Sequence, residues 1–308
     1  MLRIALAALG AGLVLAACSG GHHEQQPPAK PLSAQNPVSA AMPPASPAEY
    51  RRPIREYRRH VLHELAAMSG EVAALRHAIA SRDASGARSA WRAANARYQT
   101  IGAAYGAFGD LDKAVDGTTA GLPGGAHDPH FTGLHRVELA LFGRRSLADA
   151  QQPAAALARA VARMRARVPK LEIDPLEYSL RAHEVMEDTL HIQLTGQASP
   201  WSGYAYDAVA ANVEGTRVVL ETLTPLIDAR SPGARVAAER SLDRLDRTLR
   251  ALRRRHHGYP TLQATPRLER ERIAALVAAA AERLALVPEL IDPRGARPVR
   301  GTFGESAR

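Results

Sequence analysis

The sequence predicts an all-α protein built from antiparallel helical bundles. Alanine, arginine and leucine dominate the composition, aromatic residues make up only 5%, and β-branched residues do not alternate as they do in strands. Apolar residues instead recur at intervals of three and four, which is the period of an amphipathic helix. The first such run contains Ile54, Tyr57, Val61, Leu65 and Met68. These observations favour helices that pack on a shared apolar core.

Eight helical segments can be followed along the chain. Proline and glycine separate several of them, and residues 109–130 are so rich in glycine that they predict a long loop or short helical turns. The helices are predicted at residues 49–80, 87–106, 132–142, 146–168, 175–194, 204–226, 233–255 and 266–287. Short connections between this many helices are typical of antiparallel bundles.

The N-terminal residues have the features of an exported lipoprotein. Residues 1–17 carry one arginine and then an apolar run that is too short for a membrane span, which predicts a signal peptide. Small residues precede Cys18 as in a bacterial lipobox, so we expect Cys18 to be lipidated; the alternative is an ordinary thiol. The predicted regions are a signal peptide at 1–17, a lipid-anchored disordered tether rich in proline and alanine at 18–47, a helical domain at 48–293 and a disordered tail at 294–308.

The cysteine count and the net charge exclude several classes of function. Cys18 is the only cysteine, so the chain forms no internal disulfide and no site with several thiolate ligands. A metal site must therefore use histidine, carboxylate or tyrosine. The net charge of +9 is compatible with nucleic-acid binding, but an exported chain meets little nucleic acid and the arginines are spread over many helices. We expect solvated basic helix faces and no nucleic-acid partner.

The stretch FTGLHRVELALFG, residues 131–143, places His135 and Glu138 three residues apart in an apolar helix. Positions i and i+3 share one face of a helix, so the imidazole and the carboxylate are expected to point at one spot near the edge of a core. A buried glutamate is costly unless it is paired or bound to a metal. The spacing alone fits a metal site less well than the alternative, a hydrogen bond between the two side chains on a half-exposed helix.

A second group of polar residues lies on the helix predicted at 175–194. Glu184, Glu187 or Asp188, and His191 fall at helical spacings and give one face several carboxylates. Hard oxygen donors with one or two imidazoles suit iron, manganese or zinc, and the lack of thiolate disfavours copper(I). A solvated acidic face is the alternative.

Catalytic motifs are incomplete. His183-Glu-Val-Met-Glu187 has glutamate where the zinc-peptidase motif HExxH requires a second histidine, and residues 135–139 lack the final histidine of HxxEH. The sequence also has no GxSxG motif and no glycine-rich phosphate loop followed by lysine. We therefore expect a binding protein and not an enzyme.

Long stretches of the chain resemble one known family. EYRRHVLHELAAM, WRAANARYQTIGAAYGAFGDLD and FTGLHRVELALFG are similar to the EfeO/EfeM family of exported iron-uptake proteins, whose helical domain is imelysin-like and of the peptidase M75 type. The later segments QLTG, AANVEG and HHGYPTLQATPRLERERIAALVAAAAERLALV follow the same family pattern. The resemblance covers about residues 48–293. It implies two packed four-helix bundles.

The resemblance also implies a set of metal ligands. The HxxE residues His135 and Glu138 match the family's ligand pair, and Glu184 lies where the family supplies a third carboxylate. Asp112 and Glu214 are further candidate ligands, with a structural or surface role as the alternative for each. Ferrous or ferric iron is the implied metal, and zinc, manganese and copper(II) remain possible.

The function that the resemblance implies is that of a lipid-anchored iron-binding protein of an EfeUOB-type uptake system. Such a protein belongs to the bacterial cell envelope, at the periplasmic side or the outer face of the cell membrane. Its implied partners are the metal ion, the membrane, an iron permease that receives the ion and the haem peroxidase of the same system. Residues 201–206, WSGYAY, depart from the family's YSHTDL, which removes a histidine and an aspartate unless a group such as Asp207 replaces them.

Two other classes of function remain open from the sequence. One is a metal-dependent peptidase, which needs a metal-bound water and a general base. The other is a structural envelope lipoprotein with a vestigial metal site, an alternative that the altered residues 201–206 keep open.

Overall fold

The described part of the computed structural model comprises residues 44–143 and 145–293, and it contains helices and connecting turns but no strand. All of these residues belong to one compact unit. The predicted signal peptide, Cys18, nearly all of the predicted tether and the tail from residue 294 lie outside the described residues. The all-α prediction is confirmed for the domain.

Every one of the eight predicted segments is helical. In chain order the α-helices of the described part are α1 Arg51–Ala80, α2 Ala84–Gln99, α3 Tyr105–Phe108, α4 Asp110–Asp116, α5 Gly133–Phe142, α6 Gln151–Arg167, α7 Pro175–Asp188, α8 Ala205–Asp228, α9 Pro232–Arg255, α10 Arg267–Leu284 and α11 Leu286–Ile291. Asp83 and Asp174 cap α2 and α7, because each side chain accepts hydrogen bonds from backbone N–H groups in the first turn. None of these helices is both long enough and apolar enough to cross a membrane.

The helices contact each other in two closed rings of four. Helices α1, α2, α5 and α6 form the first ring, and α7, α8, α9 and α10 form the second. Helix α8 also packs on α1 and α2, which joins the two rings into one continuous apolar core. This confirms the architecture of two packed four-helix bundles. The apolar stripe predicted for the first helix is buried, including Tyr57, Val61, Leu65 and Met68.

Two predicted helices end earlier than their sequence periods suggest. Helix α2 stops at Gln99, and a 3-10 turn at Gly102–Ala104 follows it. A side chain at Gly102 would lie 3.2 Å from Val185, so this turn lets the backbone approach α7 closely. Helix α7 ends at Asp188 and continues as a π-helical turn, Thr189–Gln193. In that turn the Thr189 hydroxyl donates to the Val185 carbonyl and accepts a hydrogen bond from Asn212.

The glycine-rich segment forms short turns around helix α4, which is one of the two forms predicted for it. It places α4 beside the start of α5, where Gly133 has a φ of +78°. A Cβ at Gly133 would lie 2.3 Å from the carbonyl oxygen of Val115, so glycine is required there on two grounds. This close approach brings the carboxylates of α4 to the helix that carries His135.

Candidate metal site

Helix α5 carries His135 and Glu138 in a fully enclosed position. His135 is 3% exposed and Glu138 is 0% exposed, so the pair is deeper than the core edge expected from the sequence. His135 Nδ1 lies 3.1 Å from Glu138 Oε2, within hydrogen-bond distance. The imidazole and the carboxylate therefore face each other within one turn of the helix, as positions i and i+3 do.

Asp116, at the C-terminal end of α4, approaches the other ring nitrogen of His135. Its Oδ1 lies 3.3 Å from His135 Nε2, which is an ion-pair distance without hydrogen-bond alignment. That oxygen is buried and has no hydrogen-bond partner among the described residues. A buried carboxylate oxygen with an ion-pair contact but no aligned hydrogen bond is incompletely compensated for the water it has lost.

The two carboxylates determine the protonation of His135. Burial alone would lower its pKa, but Asp116 and then Glu138 outweigh burial and raise the pKa from 6.5 to about 10. At neutral pH the ring is therefore an imidazolium between two carboxylates when no metal is bound. A metal ion must displace a proton to bind this ring, because only neutral imidazole coordinates.

Ser202 holds the second oxygen of Glu138. Its backbone N–H and its hydroxyl both donate to Glu138 Oε1, at 2.8 Å and 2.7 Å. Ser202 belongs to the altered segment 201–206, and the neighbouring Trp201 ring packs on Phe131, with ring centroids 5.8 Å apart. The segment that lacks the family's histidine and aspartate thus supplies hydrogen-bond donors to the glutamate of the HxxE motif.

Asp112 extends the acidic cluster along α4. The hydroxyl of Tyr98 donates a short hydrogen bond to Asp112 Oδ1, and the Tyr105 ring stacks on Tyr98 with centroids 4.9 Å apart. Burial raises the pKa of Asp112 to about 6; the hydrogen bond from Tyr98 opposes this rise and the charge of Asp116 adds to it. Asp112 is therefore electrostatically coupled to Asp116 and through it to His135.

The structure does not bring Glu184 to this cluster. Its carboxylate pairs with Arg181 Nη1 at 3.3 Å, and the side chain is 34% exposed. Arg181 also bonds Asp188, at 3.0 Å, and its charge lowers the pKa of Asp112. Glu184 and Asp188 are thus neutralised by an arginine of the same helix, and Glu187 is half-exposed near His183.

Glu214 lies in a different place altogether. It is exposed on α8 and lines a groove of about 800 Å³ together with Glu71, Arg97 and Arg217. None of His135, Glu138, Asp112 or Asp116 lines this groove. Asp207, the possible replacement ligand, pairs with Arg92 at 2.8 Å on the wall of the same groove. Among the candidate ligands, Glu184 therefore pairs with Arg181 and Glu214 lines a separate groove. Whether any of these residues binds a metal stays a prediction.

No three histidine, cysteine, aspartate or glutamate side chains within residues 44–143 and 145–293 form a ready-made metal cage. The cluster that exists consists of His135, Glu138, Asp116 and Asp112. Sequence reasoning missed Asp116 and Ser202. The four-residue spacing of Asp112 and Asp116 in DLDKAVD was a usable signal, because it puts both carboxylates on one face of a short helix. No local pattern indicated Ser202.

The fold and the cluster define a helical two-bundle protein with a buried histidine–carboxylate group, and comparison with known proteins identifies its family. The sequence model of the peptidase M75 family, described as imelysin, matches residues 53–287, and the chain belongs to this family. The resemblance to EfeO proteins is likewise confirmed. The iron uptake system component EfeO of Escherichia coli K12 is 26% identical over 232 residues, and EfeO of Yersinia pseudotuberculosis is 25% identical over 233 residues.

The matched regions cover 75% and 76% of this chain, respectively, but only 62% of each relative, so the chain spans less than two thirds of the length of these proteins. A solved structure, described as a putative iron-regulated protein A precursor from Parabacteroides distasonis, is 13% identical and has a TM-score of 0.59. The structural match covers 82% of this chain and 97% of the chain in that solved structure. That similarity supports the fold alone.

Proposed function

We propose that this protein is the iron-binding component of an iron uptake system. The names of its EfeO relatives support the role in uptake, because they are iron uptake components. The observation that supports the binding site is Asp116 Oδ1, a buried oxygen that has no aligned hydrogen bond from residues 44–143 and 145–293 and faces His135 Nε2 at 3.3 Å. A cation between these two atoms would replace the proton on the ring and interact with both directly.

The donor chemistry fits iron. The cluster offers one imidazole and the hard oxygens of Asp116 and Asp112, a set that suits ferrous or ferric iron and also manganese, zinc or copper(II). Net negative charge remains in the cluster when His135 loses its proton, which favours a cation. We propose His135 and Asp116 as the central ligands, with Asp112 as the adjacent donor.

Glu138 is proposed to act on the ion through His135. One of its oxygens faces Nδ1 and the other accepts two hydrogen bonds from Ser202. A carboxylate in this position fixes the ring and its tautomer, so that Nε2 is the nitrogen that meets a metal. Direct ligation by Glu138 would require the hydrogen bonds from Ser202 to break.

Metal titration of matched variants tests this proposal. Calorimetric titrations with ferrous iron, ferric iron, zinc and manganese compare wild type with His135→Ala, Asp116→Asn and Glu138→Gln. Loss of a ligand or of its orienting partner should weaken iron binding by about 10- to 100-fold. Glu172→Ala, at an exposed site, and Glu214→Gln, in the separate groove, serve as controls and should bind as wild type does. Unchanged affinity in both His135→Ala and Asp116→Asn would contradict the site.

We further propose that the protein is exported and held in the cell envelope by lipid on Cys18, and that it passes iron to a membrane permease beside a haem peroxidase of the same system. Support comes from the signal-like residues 1–17 and from the relatives' names. Cell fractionation of the Cys18→Ala variant tests the anchor: the variant should leave the membrane fraction or fail to mature, and an unchanged distribution would rule the anchor out.

The peptidase part of the family description is the observation that favours a second function. Hydrolysis requires a metal-bound water and a general base with a free lone pair. Glu138 has both oxygens occupied, and the HExxH motif is incomplete. We therefore propose binding and not hydrolysis. Cleavage of a peptide library by metal-loaded wild type, abolished in His135→Ala, would reverse this conclusion, and the absence of any metal binding would favour a structural lipoprotein.

A further inference from the structure

Helices α9 and α10 form an outward-facing groove of about 640 Å³ at the edge of the second bundle. Arginines line it together with two leucines, and we define the α9–α10 basic face by six of these residues: Arg244, Arg247, Arg255, Leu268, Arg272 and Leu276. Along each helix the spacing is three, four or eight, so each helix contributes one continuous stripe. The stripe on α9 is about 17 Å long, because eleven residues separate its ends.

Most of the guanidinium groups on this face have no carboxylate partner in the part of the chain that the structure describes. Arg244 bonds only the Ser241 hydroxyl, at 3.3 Å, and neither Arg247 nor Arg272 pairs with a described carboxylate. Elsewhere on the same helices, arginines pair with a carboxylate four residues away in the sequence, as Arg250 does with Asp246 at 2.9 Å. On the face itself Arg255 is the one arginine that pairs with a carboxylate of residues 44–143 and 145–293, namely Glu269.

The surrounding segment carries most of the net charge of the chain. Residues 240–283 contain eleven arginines and five carboxylates, which gives +6 of the total +9. Arg254 is also exposed in the last turn of α9, and the exposed His256 and His257 follow the end of that helix. A concentration of unpaired positive charge attracts polyanions and anionic surfaces.

Leu268 is an exposed apolar residue on this basic face, in the first turn of α10. It is 78% exposed, compared with 39% for Ile192 and 41% for Leu286. Exposed leucine among unpaired arginines is the pattern of segments that lie on lipid bilayers, where cations meet headgroups and apolar side chains enter the acyl boundary.

We propose that the α9–α10 basic face docks on the anionic surface of a lipid bilayer. The unpaired arginines are distributed along two helices and do not converge on one pocket, which suits many mobile headgroups better than one fixed anion. Leu268 adds an apolar side chain that can enter the acyl boundary of the bilayer, which a purely electrostatic contact does not do. This docking is independent of iron binding, and it would orient the domain on the membrane whether or not a lipid is attached at Cys18.

Vesicle flotation of the full chain carrying Cys18→Ser, which cannot be lipidated there, tests the proposal. Vesicles of equal parts phosphatidylcholine and phosphatidylglycerol are compared with vesicles of pure phosphatidylcholine. Binding to the pure phosphatidylcholine vesicles measures any membrane insertion by residues 1–17. The Cys18→Ser chain without further substitutions, called wild type in this comparison, should prefer anionic vesicles, and the preference should fall as salt rises. The triple variant Arg244→Gln/Arg247→Gln/Arg272→Gln should lose at least about tenfold in partitioning, since each basic residue near such a surface adds to attraction. Leu268→Ser should lose a smaller, salt-independent part.

The matched control is Arg159→Gln/Arg163→Gln/Arg167→Gln on α6, three exposed arginines whose loss changes the net charge equally. It should retain partitioning within about threefold of wild type, because weak long-range attraction is screened. An equal loss of partitioning in both triple variants would show that net charge alone causes the binding, and it would contradict the proposed docking face. Equal binding to pure phosphatidylcholine would also overturn it, as would binding to polyglutamate without binding to anionic vesicles, which would indicate an acidic protein partner.

Discussion

Ser202 and Glu138 are joined by two hydrogen bonds to a single carboxylate oxygen, across 64 residues of sequence. The glutamate is fully buried, so its charge depends on these donors and on His135. Ser202→Ala removes the hydroxyl donor and leaves the backbone donor in place. A buried hydrogen bond to a charged group contributes about 1.5–3 kcal/mol, and we expect urea denaturation to show a loss of unfolding free energy in that range.

Ser199→Ala is the matched control for that substitution. Ser199 is as buried as Ser202, but its hydroxyl has no hydrogen-bond partner among the described residues. Its removal should change stability by less than about 1 kcal/mol or increase it, because no bond is lost and a desolvated polar atom is removed. Equal losses in the two variants would mean that Ser202 acts only by packing.

A second prediction concerns the pH dependence of the metal-free protein. The folded-state pKa of His135 is raised from 6.5 to about 10, so its ion pairs contribute stability that is fully present below pH 6.5 and is lost as the pH rises through 10. Chelator-treated wild type should therefore lose unfolding free energy between these values. His135→Gln should show a flatter profile in the same window.

The window chosen for this measurement avoids the ionisation of Asp112, whose raised pKa of about 6 affects stability at lower pH. Denaturant midpoints at pH 7, 8.5 and 10 would give the slope of stability against pH for wild type and for His135→Gln. Parallel slopes in wild type and His135→Gln would show that the two carboxylates do not hold a proton on this ring.

The fold was largely predictable from sequence, and the site only in part. The eight helices were predictable because apolar residues recur at intervals of three and four, which places them on one buried face of each helix. Gly143 ends α5 as expected. The site depends on contacts between distant segments: Asp116 meets His135 because Gly133 permits close approach to Val115, and Ser202 arrives from a connecting loop. Glu184 matched a family position, but its carboxylate pairs with Arg181, three residues earlier on the same helix, a competing partner that the i, i+3 spacing could have indicated.

Gly215 is predicted to be essential for the contact between the two bundles. It lies inside α8, in the AANVEG segment, and an added Cβ would lie 2.4 Å from the carbonyl oxygen of Thr100. Gly215→Ala should therefore destabilise the protein by about 1–3 kcal/mol in spite of the better helix propensity of alanine, as overpacked cores do. Thermal or urea unfolding would measure the change.

Gly70→Ala supplies the comparison. Gly70 is exposed inside α1 and a Cβ there meets nothing within 4 Å. The substitution should stabilise the protein by about 0.5–1 kcal/mol, because glycine weakens helix interiors. If both variants shifted stability in the same direction, close approach at Gly215 would not limit the packing of α8 on the 99–104 turn.

The last prediction is that the domain folds without metal and is stabilised by iron. Residues such as Trp91, Tyr178 and Leu65 are fully buried in a core that spans both bundles, and none of them depends on an ion. Chelator treatment should therefore leave the helical circular dichroism signal unchanged. Iron at about 100 times its dissociation constant should then raise the unfolding free energy by about 2.7 kcal/mol, since it binds only the folded state. In Asp116→Asn the same iron concentration should give little increase, while Glu214→Gln should respond as wild type does. Collapse of the helical signal on chelation would instead make the ion a structural element of the fold.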